Sequence, residues 1–217
     1  MKALVLGATG AVGKDLTALL LDDPLFEVVE VFVRRDPELA YPKLVVHVVD
    51  FDKPHEWRHL VMGDVAFSCM GTTLKAAGSQ AAQYKVDFTY QYEFAKIAYE
   101  NGVSRFLLVS AVGADAQSRM FYTRMKGELE ERVRKFPFNQ LNIVRPPALV
   151  RKGTDRLTEK LSLPIIRFFN RLGLFRKQAP MPTLTVAKAL VAMVHQMPDN
   201  CIVTPQQLRQ MAMEPSV

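Results

Sequence analysis

Residues 4–14, LVLGATGAVGK, constrain this chain more than any other stretch. The apolar run 3–6 has the length of a buried strand. It stops at Gly7. Gly10 and Gly13 follow at three-residue spacing, with Thr9, Ala11 and Val12 between them, and an apolar helical pattern covers 16–21. Strand, glycine turn and helix in that order form the context in which such a triplet carries meaning. The first glycine permits a tight turn, the second lets backbone approach a pyrophosphate, and the third lets the helix pack on the strand. The first helical amides then present free N–H groups and a positive dipole end to an anion. Gly7, Thr9, Gly10, Ala11, Val12 and Gly13 are therefore the candidate phosphate-binding residues. The same N-terminus is basic and then apolar, but its apolar part is too short for the core of a secretion signal.

The pattern that follows alternates. Strands are predicted over 27–33, 44–49, 64–69, 105–110 and 141–145. Helices are predicted over 79–101, closed by Gly102, and over 119–135. Such alternation gives an α/β fold: a doubly wound, mostly parallel sheet of the Rossmann kind, with helices on both faces. Beyond Pro147 the pattern turns helical, over 157–172 and 186–197, with no long strand. We therefore expect a small helical C-terminal portion in which 151–182 serves as a substrate lid within one domain spanning 1–217. A chain of 217 residues, 49% hydrophobic and 23% charged, can bury such a core.

The strand ends refine the ligand. Arg34 and Arg35 follow the second strand, where an NAD site commonly places an acid. A guanidinium fork suits a ribose 2′-phosphate, so NADP(H) is preferred over NAD(H). Asp50 and Phe51, after the third strand, are placed to flank the adenine. Cys69, Met70 and Gly71, after the fourth, are placed along the cofactor's middle. A net charge of +6 favours anionic ligands without choosing among them. No nucleic-acid motif accompanies it, so no specific nucleic-acid partner is expected.

Ser110 ends the fifth strand, and Tyr122 and Lys126 stand four apart on the next predicted helix, hence on one face. An adjacent ammonium stabilises tyrosinate, so Lys126 is expected to lower the Tyr122 phenol toward working pH. Ser110 is placed to bond a substrate oxygen, and Tyr122 to protonate a carbonyl oxygen as hydride reaches the carbon.

Taken in order, the glycine triplet, Ser110 and Tyr122-x-x-x-Lys126 resemble the short-chain dehydrogenase/reductase superfamily. With FSCMGTT at 67–73, they look most like its small atypical branch, which includes a human Tat-interacting oxidoreductase. The resemblance spans about residues 2–150. It implies that Ser110, Tyr122 and Lys126 carry the triad roles on a small carbonyl substrate. The asparagine that many members use to complete a proton relay has no evident counterpart. A catalytically weak or inactive NADPH-binding sensor or interaction module is the alternative.

Other signals are weaker. HEWRH at 55–59 matches a zinc-protease pattern but lies in a short, solvated connection, so no metal site is expected. The basic, apolar run 156–177 is read as a helix over the site mouth, with a dimer contact or a weak contact with an anionic membrane surface as the sharper alternative. The run 126–135 (KGELEERVRK) is read as a solvated face. Two cysteines give no disulfide framework and point to a reduced, cytoplasmic setting. No stretch is long and apolar enough for a transmembrane helix. The assembly is expected to be a monomer or homodimer.

Overall fold

A computed structural model describes residues 1–150, 179–196 and 199–213. The apolar runs become parallel strands: β1 (Lys2–Leu6), β2 (Val28–Val33), β3 (Leu44–Val48), β4 (Val65–Ser68), β5 (Arg105–Val109) and β6 (Gln140–Val144). Together with β9 (Cys201–Val203) they form one seven-stranded parallel sheet in the order β3-β2-β1-β4-β5-β6-β9. This is the expected doubly wound α/β fold. Below its six predicted strands, the sequence pattern concealed the seventh, because three residues are too few to show a period. A small pair of strands, β7 (Leu149–Val150) and β8 (Met181–Pro182), was also not foreseen.

Alternation along each strand divides the core in two. Ala3 and Val5 face one layer, with Val12, Leu16 and Leu20 of α1 (Ala11–Asp22) and with Val186, Leu190 and Val194. Those last three lie on α7 (Thr183–Gln196), so the C-terminal helix covers the same face as the first. Leu4 and Leu6 face the other layer, which is richer in aromatic side chains: Phe32, Trp57, Phe94 and Phe106.

The second layer contains the helices nearest the site. HEWRH forms only a single turn, α2 (Pro54–Trp57), and a 3₁₀ turn over Arg58–Leu60, anchored by buried Trp57. After β4 come the short α3 (Leu74–Ala77) and α4 (Gln80–Tyr84), the latter capped by the Ser79 hydroxyl, which accepts from Ala82 N–H. The predicted helix 79–101 is not uniform: a π-helical turn (Lys85–Thr89) separates α4 from α5 (Tyr90–Glu100). The helix α6 (Phe121–Val133) follows β5, and α8 (Pro205–Met211) follows β9 with a Thr204–Gln207 capping box. Among the described residues, no helix is long and apolar enough to cross a membrane. The predicted helix 157–172, the basic run 156–177 and most of the 151–182 lid lie outside the described residues.

Candidate active site

Because the seven strands are parallel, their C-terminal ends line one edge of the sheet. The residues singled out from the sequence gather there. Gly7 follows β1, Arg34 and Arg35 follow β2, Asp50 and Phe51 follow β3, Cys69 to Gly71 follow β4, and Ser110 follows β5. The strand order reverses between β1 and β4, where a doubly wound sheet opens its crevice.

The glycine loop sits at that reversal. Gly7 has φ +87°, and a Cβ there would lie 2.6 Å from the backbone nitrogen of Met70. The turn is thus left-handed and pressed against the end of β4. A Cβ on Gly13 would lie 2.1 Å from the Gly7 carbonyl oxygen, so α1 rests directly on the loop. Gly10 is the helix N-cap. No side chain caps it, and no acid stands in the first turn. Among the described residues, the opening amides of α1 therefore have neither an intrahelical acceptor nor a side-chain cap. A bare backbone cradle of this kind fits a pyrophosphate.

Around it, Thr9, Arg34, Arg35, Asp50 and Gly71 are exposed. Neither arginine has an ion-pair partner among the described residues. The Phe51 ring, by contrast, is buried between Trp57 and Tyr90, with centroids 5.8 and 5.4 Å away, so Asp50 is the member of that pair left facing outward. Cys69 is also buried, and burial pushes its thiol up to about 12.

Tyr122, Lys126 and Glu130 form one stripe along α6. The Lys126 side chain is 3% exposed, and its Nζ lies 3.3 Å from Oδ1 of Asp87, itself 1% exposed. Asp87 stands on the π turn. Its Oδ2 accepts Thr72 N–H at 2.8 Å, and its carbonyl accepts from the Gln91 amide at 2.7 Å. Burial raises the Asp87 carboxyl above the usual carboxylate range, against the pull of Lys126 and of the Thr72 amide. The expected sign at Tyr122 is reversed. Burial, and then the Asp87 carboxylate, push its phenol well above the ordinary value. Among the described residues, the polar group that meets Lys126 is the Asp87 carboxylate, not an asparagine.

Ser110 is buried, and its hydroxyl donates to Glu130 Oε1 at 2.6 Å. Glu130 is gripped further by Arg145 (Nε to Oε1, 2.9 Å; an Nη to Oε2, 2.6 Å) and by Arg134 at 3.0 Å. The Ser110 proton is thus committed to Glu130, leaving its lone pairs for any other partner. This corrects the reading of 126–135 as a solvated face: Lys126, Leu129, Glu130 and Val133 are all buried. The signal for Glu130 was available, since it continues the four-residue spacing of Tyr122 and Lys126. Asp87 carried a fainter one, as an acid set between Val86 and Phe88 in an apolar helical pattern. Among the described residues, no three His, Cys, Asp or Glu side chains converge as a metal site would require.

A family model described as NAD(P)H-binding matches residues 7–196, nearly the whole of this arrangement. The chain belongs to the NAD(P)H-binding family. It is 34% identical over 177 residues to protein FMP52-1, mitochondrial, of Scheffersomyces stipitis, covering 78% of this chain and 77% of that one. It is 34% identical over 193 residues to protein HTATIP2 of Rattus norvegicus, covering 86% and 78%. Among solved structures, it resembles the human epimerase family protein SDR39U1 with NADPH. That match has a TM-score of 0.66 at 18% identity and covers 94% of this chain and 73% of the other. The fold is that of the short-chain dehydrogenase/reductase and epimerase superfamily, as the sequence motifs implied. The expected cytoplasmic setting is corrected, because several relatives are named as mitochondrial proteins. Cysteine content reports the redox state of a compartment, not which compartment it is.

Proposed function

We propose that this NAD(P)H-binding protein is an NADP(H)-dependent oxidoreductase acting on a carbonyl/alcohol pair, with Tyr122 as the proton-transfer residue. The observation that carries this reading is the placement of Tyr122 and Lys126 on the helix after β5, at the edge of the sheet that holds the glycine cradle. Exposed Arg34 and Arg35 beside that cradle supply the charge that a 2′-phosphate needs. A bound NADPH would supply the hydride.

A phenol raised by burial and by a neighbouring carboxylate is protonated at neutral pH, so Tyr122 enters carbonyl reduction as the acid. It donates to the carbonyl oxygen as the carbonyl carbon takes a hydride, and the tyrosinate regains its proton from water. Replacing Tyr122 by Phe keeps the ring and removes the proton. NADPH oxidation on a panel of small carbonyl compounds should fall at least 100-fold, about the scale of a lost general acid, with NADPH affinity unchanged. Equal turnover by the two proteins would remove Tyr122 from the reaction.

A second reading has its own support. Ser110 is committed to Glu130, and Lys126 to Asp87. A site whose polar groups already satisfy one another suits a catalytically weak NADPH-binding sensor. Its mark would be NADPH binding without turnover on the whole panel.

A further inference from the structure

We propose that Asp87 is a positioning residue that holds the Lys126 ammonium on the π turn, and that this hold keeps the ammonium from stabilising the Tyr122 tyrosinate. The inference rests on the reading of Tyr122 given above. Its basis is geometric. Lys126 and Asp87 are 3% and 1% exposed and meet at 3.3 Å, on two helices that converge beneath the ends of β4 and β5. Asp87 is itself held from two sides, by the Thr72 amide after β4 and by Gln91 one turn further along the helix. Gln91 in turn accepts the Ser68 hydroxyl at 2.9 Å. The carboxylate is thus fixed to the sheet end, and the ammonium comes to it.

The position of Asp87 matters as much as its partner. A π turn is a local widening of a helix, often found where a side chain must be aimed at a site. Here it breaks the predicted helix 79–101 at the residue that meets Lys126. Among the described residues, the titratable groups set against this spot are Tyr122 on α6, Asp87 on the π turn and the Cys69 thiol at the end of β4, which feels Lys126. Removing the Asp87 charge would leave Lys126 desolvated, with tyrosinate as its available counter-ion. The phenol and the ammonium would then titrate as a coupled pair.

Asp87→Asn is the test, because an amide oxygen can still accept the Thr72 N–H. Tyrosinate absorbance is followed against pH in four proteins: parent, Tyr122→Phe, Asp87→Asn and the double variant. Parent minus Tyr122→Phe should show no tyrosinate up to about pH 11, a unit above a free tyrosine. The same difference in the Asp87→Asn background should show one. If both backgrounds titrate alike, the proposal is overturned. Should Asp87→Asn fail to fold, Asp87→Glu keeps the charge on a longer arm and Lys126→Met removes the ammonium; with no freed ammonium, neither should show tyrosinate below the parent, and a lowered phenol in Lys126→Met overturns the proposal equally. NADPH binding is measured on each protein. If the parent binds no NADPH, the oxidoreductase reading fails, while the titration still decides the role of Asp87. Where turnover is found, the limb of the pH profile that follows Tyr122 should move to lower pH in Asp87→Asn.

Discussion

Glu130 and Asp87 are both carboxylates with 1% of the side chain exposed, and both face a cation on or beside α6. Their surroundings differ. Glu130 receives a serine hydroxyl and two guanidinium groups, one of them through two hydrogen bonds. Asp87 receives one ammonium at 3.3 Å and one backbone amide. Burial outweighs those two in Asp87 and leaves its carboxyl raised. A carboxylate saturated by planar, permanently charged donors acts as a brace. One compensated by a single flexible ammonium can be adjusted by whatever else reaches that ammonium. The brace joins α6 to the ends of β5 and β6; the adjustable pair lies one helical turn away, next to Tyr122.

The comparison breaks most easily at Glu130. Glu130→Ala strands Arg145, Arg134 and Ser110 together and should lower unfolding free energy by about 3–5 kcal/mol, the usual cost of removing one partner of a buried charge network. Urea denaturation measures it, and a loss below about 1 kcal/mol would mean that the cluster braces nothing. The two arginines sharpen the point. Arg145→Met removes the paired donors and should cost about 1.5–3 kcal/mol. Arg134→Met removes a cation whose side chain is 43% exposed and should stay within about 1 kcal/mol of the parent. Equal losses would show that Arg145 does not lead the cluster. The smallest effect concerns the thiols, whose contrast in environment follows the same lines. Cys69 is buried, with its thiol pushed up to about 12, and should resist alkylation at neutral pH until the protein unfolds. Cys201 is only partly buried and should be modified first; mass spectrometry after brief iodoacetamide treatment would distinguish them.

The parts legible in the sequence were those encoded locally. A strand, three glycines and an apolar helix are consecutive, so the cradle around Gly7, Gly10 and Gly13 could be read without knowing what lies across from it. Ser79 and Gly102 marked the ends of the long helical segment in the same way. The site's polar partners were less accessible. Lys126 and Asp87 lie on separate helices, and no local pattern states that they meet. Arg145 could be read as the end of a strand, but not as the residue that grips Glu130. Tyr122 shows the consequence: the spacing put Lys126 on the same helix, while Asp87, the carboxylate that meets that lysine and raises the phenol, lay elsewhere in the chain. Strand β9 escaped for a different reason, because three residues carry no readable period.

That last strand has a consequence for biosynthesis. When residue 150 has left the ribosome, six strands can already be in parallel order, but β6 still presents a bare edge, with Leu141 lacking the Asn200 side chain and Asn142 lacking the carbonyl of Asp199. Unpaired edges invite pairing with other chains. Nascent chains arrested at that length should recruit a holdase chaperone, and chains arrested with β9 and α8 fully emerged should release it; equal recruitment at both lengths would show that the edge goes unnoticed.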